Sequence, residues 1–402
     1  MRNSLLDKAI QRGIRLVTQR PKGWWRLLVN QAAAMARCTY VPSLPVHVTI
    51  EPTNLCDQRC PICETGDGSL GRKRGSMPLD QFQHLIDLIA PHAHTLMFYF
   101  MGEPFLHKDA YAMIRHAKAR GLFVTACTDG NLVDGQALVA SGIDEVFFQL
   151  GGTTQAAHQI YRVRGKLDRA LGNLADAVAE RRRLGATLPR LVMGLIVMRH
   201  NEHQVEEFHR LAREIGADGS ELVLPCVRDK VQADRFMPKD ETYWMYDKTL
   251  FDTQGILRPK MDLGNSCWWI WHSTVITWDG MVLPCCRDPH GHHAMGNVFR
   301  EPLGRIWNNA AYRAFRRKIL TAQGSVEICR LCSGFGVPDL IRETGAPAPS
   351  VRTDGNTADG VRLAPSPTPQ PDAPPAALRV GTPPDLGVPL PTPTYPPRDH
   401  AG

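Results

Sequence analysis

From Val46 onward the apolar residues fall in short extended runs separated by stretches of helical spacing. The runs are Val46 to Ile50, Thr95 to Phe100, Phe123 to Cys127, Glu145 to Leu150, Leu191 to Val197 and Glu221 to Leu224. Between them apolar positions recur every three or four residues near 79–91, 107–120, 135–141, 166–184 and 202–216. Strands alternating with helices predict a parallel sheet with right-handed crossovers, and six such units in succession predict a closed or nearly closed barrel. Function in such a barrel belongs at the C-terminal ends of the strands. Ahead of this region, Leu5, Leu6, Ile10, Ile14 and Val17 are interleaved with Lys8, Arg12 and Arg15, and Trp24, Trp25, Leu27 and Leu28 follow Pro21-Lys22-Gly23. This predicts two short basic amphipathic helices within residues 1–45. Behind it, residues 230–262 read as a connector, with the barrel's boundary at 235. The alternation from Thr274 to Cys285 reads as a hairpin turning at Asp279-Gly280.

The 402 residues are 43% hydrophobic, enough to bury a barrel-sized core with a smaller domain beside it. No apolar run approaches the roughly 18 residues that span a bilayer, and the N-terminus lacks an apolar stretch followed by a small-residue cleavage site. A cytoplasmic location is therefore expected. The formal net charge of +7 is concentrated at one end: residues 1–37 hold eight Lys/Arg against Asp7 alone. The rest of the chain is balanced, so no nucleic-acid partner is expected. A basic helix with Trp24 and Trp25 suits peripheral contact with an anionic membrane, but a cap on one end of the barrel is the favoured reading. Of the 31 prolines, 15 lie in residues 347–402, where apolar residues are few, so residues 341–402 are expected to form a disordered Pro-rich tail.

Directly after the first strand run stands Glu51-Pro-Thr-Asn-Leu-Cys56-Asp-Gln-Arg-Cys60-Pro-Ile-Cys63. Three cysteines at C-x3-C-x2-C spacing let one loop wrap a metal centre and leave one coordination position open, which is where chemistry can occur. A second group follows: Cys267, Cys285, and Cys329-Arg-Leu-Cys332. Four thiols from three separated places can enclose one 4Fe-4S cluster or one zinc ion, and spacing alone leaves the metal open. Cys38, Cys127 and Cys226 lack ligand spacing and read as buried small hydrophobes. His290, His292 and His293 read as a solvated loop.

The first cysteine loop resembles that of the radical S-adenosylmethionine (SAM) superfamily, in which three Cys hold a 4Fe-4S cluster whose fourth iron is chelated by SAM. Ile62 stands where that family often has an aromatic residue. Met101-Gly102-Glu103-Pro104 is similar to the family's element that binds the SAM amino group, and the resemblance implies SAM contacts from Gly102, Glu103 and Pro104. Thr128-Asp129-Gly130-Asn131 stands where Thr-Asn-Gly is usual. Gln149-Leu150-Gly151-Gly152 replaces a common Ser-Leu-Asp-Gly, with Gln149 offering a donor and an acceptor. Tyr161-Arg162-Val163-Arg164-Gly165 resembles a Tyr-x-x-Arg-Gly segment and makes Arg164 the candidate for the SAM carboxylate. Gly194, Asn201 and Glu206 match the family's adenine side loosely.

The order Cys267, Gly280, Cys285, Gly296-Asn297-Val298, then C-x2-C, resembles the SPASM type of extension, here shortened to a single-cluster, twitch-like form. The implied fold is α/β: a partial (β/α)6 TIM-like barrel over 46–235, a connector over 236–262, and a small iron-sulfur domain over 263–340. The implied cofactors are a SAM-binding 4Fe-4S cluster on Cys56, Cys60 and Cys63, an auxiliary 4Fe-4S cluster on Cys267, Cys285 (or Cys286), Cys329 and Cys332, and SAM. The implied activity is reductive SAM cleavage followed by hydrogen abstraction from a carbohydrate, lipid-linked or cofactor-precursor substrate. Flavodoxin or ferredoxin is the implied electron donor, and the auxiliary cluster is implied to accept an electron or anchor the substrate. The 45 residues before the barrel look short for a leader-peptide domain, which weighs against a peptide maturase. A zinc-stabilised binding protein on a degenerate barrel is the alternative from another class.

Overall fold

The β-branched and aromatic residues of the six runs form parallel strands in a computed structural model that describes residues 24–261, 264–332, 334 and the strand 340–343. The strands are β1 (His47–Ile50), β2 (Thr95–Met97), β3 (Phe123–Thr128), β4 (Glu145–Leu150), β5 (Arg190–Ile196) and β6 (Gly219–Val223). Each pairs in parallel with its sequence neighbour, for example Thr49 with Met97 and Phe148 with Met193. One face of the sheet carries Val48, Ile50, Leu96, Val124, Ala126, Val146, Phe148, Leu150, Leu191, Met193 and Leu195, all buried in the main core. Helices Leu79–Ile89, Ala110–Ala119, Gly135–Ala140, Leu167–Arg183 and Val205–Ile215 supply its other side. The alternate residues, including Thr49, Thr125, Cys127, Phe147 and Gln149, line the inner face, as a two-residue period requires. A further helix, Gln155–Tyr161, was not anticipated by the apolar spacing.

The sheet does not close on itself. Its order is β10-β6-β5-β4-β3-β2-β1-β7-β8-β9, so the edge beyond β1 is taken by the C-terminal hairpin β7 (Ser273–Ile276) and β8 (Met281–Leu283), followed by β9 (Gly296–Asn297). β7 runs parallel to β1, His47 opposite Ser273 and Ile50 opposite Ile276, while β8 returns antiparallel. The hairpin expected in a separate small domain thus extends the barrel's own sheet. At the opposite edge β10 (Leu340–Glu343) pairs antiparallel with β6, so ordered chain continues past the expected tail boundary at 341. Residues 344–402 and the helix expected over 4–18 lie outside the described residues.

The stretch read as a connector has structure of its own. Helices Lys230–Phe236 and Lys248–Gln254 bury Phe236, Trp244, Tyr246 and Phe251 in a second cluster that includes Cys60 and Ile62 of the first cysteine loop. It forms a wall beside that loop. At the other end of the strands, helix Trp24–Met35 packs through Asn30 and Ala33, with Asn30 Nδ2 donating to Leu44 O at 3.1 Å. Trp24, Trp25 and Leu28 remain exposed on it. No helix among the described residues is long and apolar enough to cross a membrane.

Candidate active site at the barrel mouth

The first cysteine loop leaves β1 and is tied down on three sides. Glu51 is fully buried and accepts both Arg72 Nη atoms, at 2.6 and 2.9 Å, while Arg72 Nε donates to Pro289 O at 2.6 Å. Thr53 Oγ1 donates to Gly75 O at 2.9 Å, and the Asn54 side chain bridges Lys73 O and Gly75 N at 2.8 and 2.9 Å. Leu55 O accepts from Glu103 N at 2.8 Å. Gly102 makes that last contact possible: its φ is +86°, and a Cβ there would lie 2.6 Å from Leu55 O. The spacing Met101-Gly102-Glu103-Pro104 therefore docks directly on the loop that carries the thiols.

Around Cys56 the site is acidic. Glu103 is buried, caps the turn Pro104–Leu106 by accepting from Phe105 N at 3.0 Å, and accepts from Thr128 Oγ1 at 2.8 Å and Asp129 N at 2.9 Å. The ends of β2 and β3 are thereby joined through one carboxylate. Ligating atoms of Cys56, Asp57 and Asp129 lie within 4.8 Å of one another. Burial, then the Asp129 charge, pushes Glu103 well above the usual carboxylate range and Asp57 up to about 6. Asp129 Oδ2 is buried and accepts no hydrogen bond. Three carboxylates beside a thiol, one with an unused oxygen, suit a bound cation such as an ammonium group.

Cys60 Sγ takes a long contact from Arg162 Nη1 at 3.7 Å, and Cys63 N donates to Cys60 O at 3.1 Å. Burial pushes all three thiols of the loop up, and at Cys60 the Arg162 charge offsets part of that rise. Arg162, not Arg164, is the guanidinium that reaches the loop. Arg164 has φ +74° and is exposed, because the chain turns outward between Val163 and Gly165. Gln149 lies on the inner face of the sheet opposite Gly194, where a Cβ would stand 2.4 Å from Gln149 Nε2. Its Oε1 is buried and accepts no hydrogen bond among the described residues. The following Gly151 is held by His158, whose Nδ1 accepts from Gly151 N at 3.2 Å, and by Asn201 Nδ2, which donates to Gly151 O at 3.0 Å.

The second thiol group is assembled from distant segments. Cys285 acts electrostatically on both Cys267 and Cys329, and Cys332 acts on both as well. Burial first, then these neighbours, pushes Cys267 up to about 12. Cys286 lies beside this group as well: it is hydrogen-bonded to Cys285 and feels the charge of Cys332, and it also acts on Tyr99, inside the barrel, and on Arg287. Four converging thiols fit a tetrahedral thiolate centre.

Two family models match the chain: the radical SAM superfamily over residues 50–212, and an iron-sulfur cluster-binding domain, SPASM, over 267–333. The chain belongs to the radical SAM superfamily. It is 24% identical over 328 residues to a tungsten-containing aldehyde ferredoxin oxidoreductase cofactor-modifying protein of Pyrococcus furiosus, covering 74% of this chain and 90% of that one. A PqqA peptide cyclase of Gluconobacter oxydans is 26% identical over 319 residues, covering 73% and 84%. Streptococcus suis SuiB bound to S-adenosylmethionine has the same fold, with a TM-score of 0.54 at 14% identity over 73% of each chain. Membership makes the chain an enzyme with 4Fe-4S clusters and SAM as cofactors, and removes the reading as a zinc-stabilised binding protein.

Within this radical SAM chain, two positions of the candidate site escaped sequence reasoning. Asp57 carried no motif signal of its own, although it directly follows a cysteine, and Asp129 was visible only as a substitution in Thr-Asn-Gly. Cys38, expected buried, is exposed; Cys127 lies on the inner face, hydrogen-bonded to Tyr99; and Cys226 is partly buried against the second hydrophobic cluster while facing two guanidinium groups. The loop of three histidines is half tied: His290 meets Leu70 O at 3.1 Å, and His293 meets Glu327 at 2.7 Å.

Proposed function

We propose that Cys56, Cys60 and Cys63 hold the SAM-binding 4Fe-4S cluster, that Cys267, Cys285, Cys329 and Cys332 hold an auxiliary 4Fe-4S cluster, and that the barrel mouth between them is where the substrate loses a hydrogen atom. When bound, the first cluster supplies the electron that cleaves SAM to methionine and a 5'-deoxyadenosyl radical. The observation that carries the reading is the docking of Gly102-Glu103 on the three-thiol loop, which gathers Glu103, Asp129 and Asp57 beside Cys56. These carboxylates bind and orient the SAM ammonium, with Pro104 fixing the turn that presents Glu103. Gln149 offers its unused Oε1 from the sheet's inner face, and Arg162 takes the part assigned by sequence to Arg164. The wall of Phe236, Trp244, Tyr246 and Phe251 beside the loop excludes water from a centre where a radical must not be quenched.

The substrate in this reading is a small-molecule or lipid-linked biosynthetic intermediate, with flavodoxin or ferredoxin as electron donor. A relative that modifies a cofactor supports the small-molecule class. A peptide is the second reading, supported by the similarity to a peptide cyclase. Domain limits follow the same proposal: barrel 46–235, wall 236–262, auxiliary-cluster region 263–340. Anaerobic reconstitution should give about eight irons per chain, and dithionite with SAM should release 5'-deoxyadenosine even without substrate. Iron at that level with no SAM cleavage under any condition overturns the assignment of the first site.

A further inference from the structure

Cys226 lies three residues beyond β6, at the mouth where both thiol groups open, and two guanidinium groups converge on it. Arg287 Nη1 is 2.6 Å and Arg228 Nη1 3.5 Å from Cys226 Sγ. The Tyr246 hydroxyl is 3.8 Å from the same sulfur and donates to Val227 O at 3.1 Å. Glu64, next to Cys63, accepts from Arg228 Nε at 2.9 Å and also from Nη2, which orients that guanidinium and leaves Nη1 facing the sulfur. Arg287 stands two residues from Cys285, and the ionisable groups acting on it are Cys226, Cys332, Cys286 and Tyr246. A polar bridge thus runs from the first cysteine loop through Glu64, Arg228, Cys226 and Arg287 to the second thiol group.

A thiol is a weak acceptor, and a guanidinium fork is shaped for two oxygens. Arg228 Nη1, the nitrogen that Glu64 leaves over, and Arg287 Nη1 both aim at one half-buried sulfur, and are better matched to an oxyanion lying over it, which would gain charge-assisted hydrogen bonds from both. We propose that Arg228 and Arg287 form a seat for an oxyanion, a carboxylate or phosphate carried by the substrate, between the two cluster sites. This rests on the radical SAM reading of the mouth and narrows its substrate to an anionic one. Anchored there, the body of a small molecule extends into the inner face lined by Tyr99, Cys127 and Gln149.

The reconstituted full-length chain, with and without SAM, is treated with iodoacetamide while inorganic phosphate or acetate is titrated at constant ionic strength in chloride. Alkylation of Cys226 is read by peptide mass spectrometry. Phosphate, acetate or both should protect Cys226 saturably where chloride does not, and the better protector tells which oxyanion the seat prefers. In Arg287→Met the concentration for half protection should rise about tenfold or more, the loss of one charged hydrogen bond. Arg228→Met should do likewise, with iron content and visible absorbance confirming that each variant is folded. Protection no better than chloride, equal protection in both variants, or complete protection by SAM alone with nothing added by either oxyanion, overturns the seat. SAM cleavage is assayed on the same samples. Cleavage without protection overturns the seat and leaves the radical reading standing; protection without cleavage supports the seat and overturns that reading.

Discussion

The two thiol groups are built in opposite ways. Cys56, Cys60 and Cys63 sit on one loop of eight residues, fastened by hydrogen bonds from Thr53 and Asn54 to Gly75 and Lys73 close by in sequence, and by one that Leu55 O accepts from Glu103 N farther on. Cys267, Cys285, Cys329 and Cys332 come from three segments, brought together because β7 takes the edge beside β1 and the helices Leu303–Trp307 and Ala310–Ala322 pack Ile306, Trp307, Tyr312 and Ile319 into the main core. The first group is local and preformed. The second exists only if the sheet is complete. A local loop can therefore lose its cluster without harming the fold, whereas the second group and the fold stand together.

The sharpest way to break this contrast is to remove each set. Replacing Cys56, Cys60 and Cys63 together by Ala should remove about half of roughly eight irons and abolish 5'-deoxyadenosine release, with little change in thermal stability. Cys329→Ala should lower iron by the other half, spare much of the SAM cleavage, and lower the unfolding temperature. Iron analysis, chromatography of 5'-deoxyadenosine and anaerobic melting curves read all three quantities. Equal loss of stability in the two variants ends the distinction.

The same contrast explains what could be read from the chain beforehand. The six strands were legible because buried parallel strands are apolar runs, and the first site because its ligands lie within eight residues. The second site showed its members but not its place: nothing in Thr274 to Cys285 says that Ser273 will stand opposite His47. Arg162 and Arg164 could not be told apart by spacing, since a turn with φ +74° at Arg164 decides which one faces the loop. Cys226 does pack on the second hydrophobic cluster, and its polar side was hidden because Tyr246 and Arg287 arrive from different segments. Trp244 and Phe251 were set aside as connector because a short helix-turn-helix with two aromatics has no distinctive period.

One ion pair joins the two regions, and it should show the next largest effect. Glu51 begins the first loop; its partner Arg72 also holds Pro289 O, and Trp278 N of the hairpin donates to Glu51 Oε2 at 3.3 Å. Both side chains are almost completely buried, at 0% and 6% exposure. Removing one partner leaves the other charge buried, so Arg72→Met should cost about 3–5 kcal/mol, read as a lower denaturant midpoint. Glu51→Gln in the same background should recover part of it. Additive losses in the double variant mean that the pair does not couple the regions.

A smaller effect lies at the opposite end of β1, where His47 stacks on Trp269 at 6.0 Å, two residues after Cys267. Burial first, then the neighbouring His272 and His94, lowers the His47 pKa to about 3. The unfolded chain takes up a proton near 6.5 while the folded one does not until about 3. This contribution to stability is present above pH 6.5 and is lost as pH falls toward 3, with a slope of at most about 1.4 kcal/mol per pH unit. Between pH 7.5 and 5.5, His47→Gln should flatten the decline of stability seen in the wild-type protein. An unchanged slope removes this joint from the account.

The smallest effect concerns the basic arm, whose described helix touches the second region as well as the barrel. Helix Trp24–Met35 packs beside helix Trp269–His272 through Asn30 and Ala33, and Arg37 Nη2 donates to Leu320 O at 2.6 Å. Deleting residues 1–37 should therefore lower the unfolding temperature and disturb the second thiol group before the first, seen as loss of iron that spares SAM cleavage. Trp24, Trp25 and Leu28 stay exposed on the packed helix, at 46%, 50% and 53%, so packing and membrane contact are compatible. Helix Trp24–Met35 lies at the foot of the strands, and a membrane there would leave the barrel mouth open. Eight cations at about 1 kcal/mol each near an anionic surface suffice for association that weakens with salt. Co-sedimentation with phosphatidylserine vesicles at low and high salt, with and without residues 1–37, separates the cases. Binding that is weak, salt-sensitive and lost with the arm supports a peripheral membrane role; no binding at low salt leaves the arm as a brace for the second region alone.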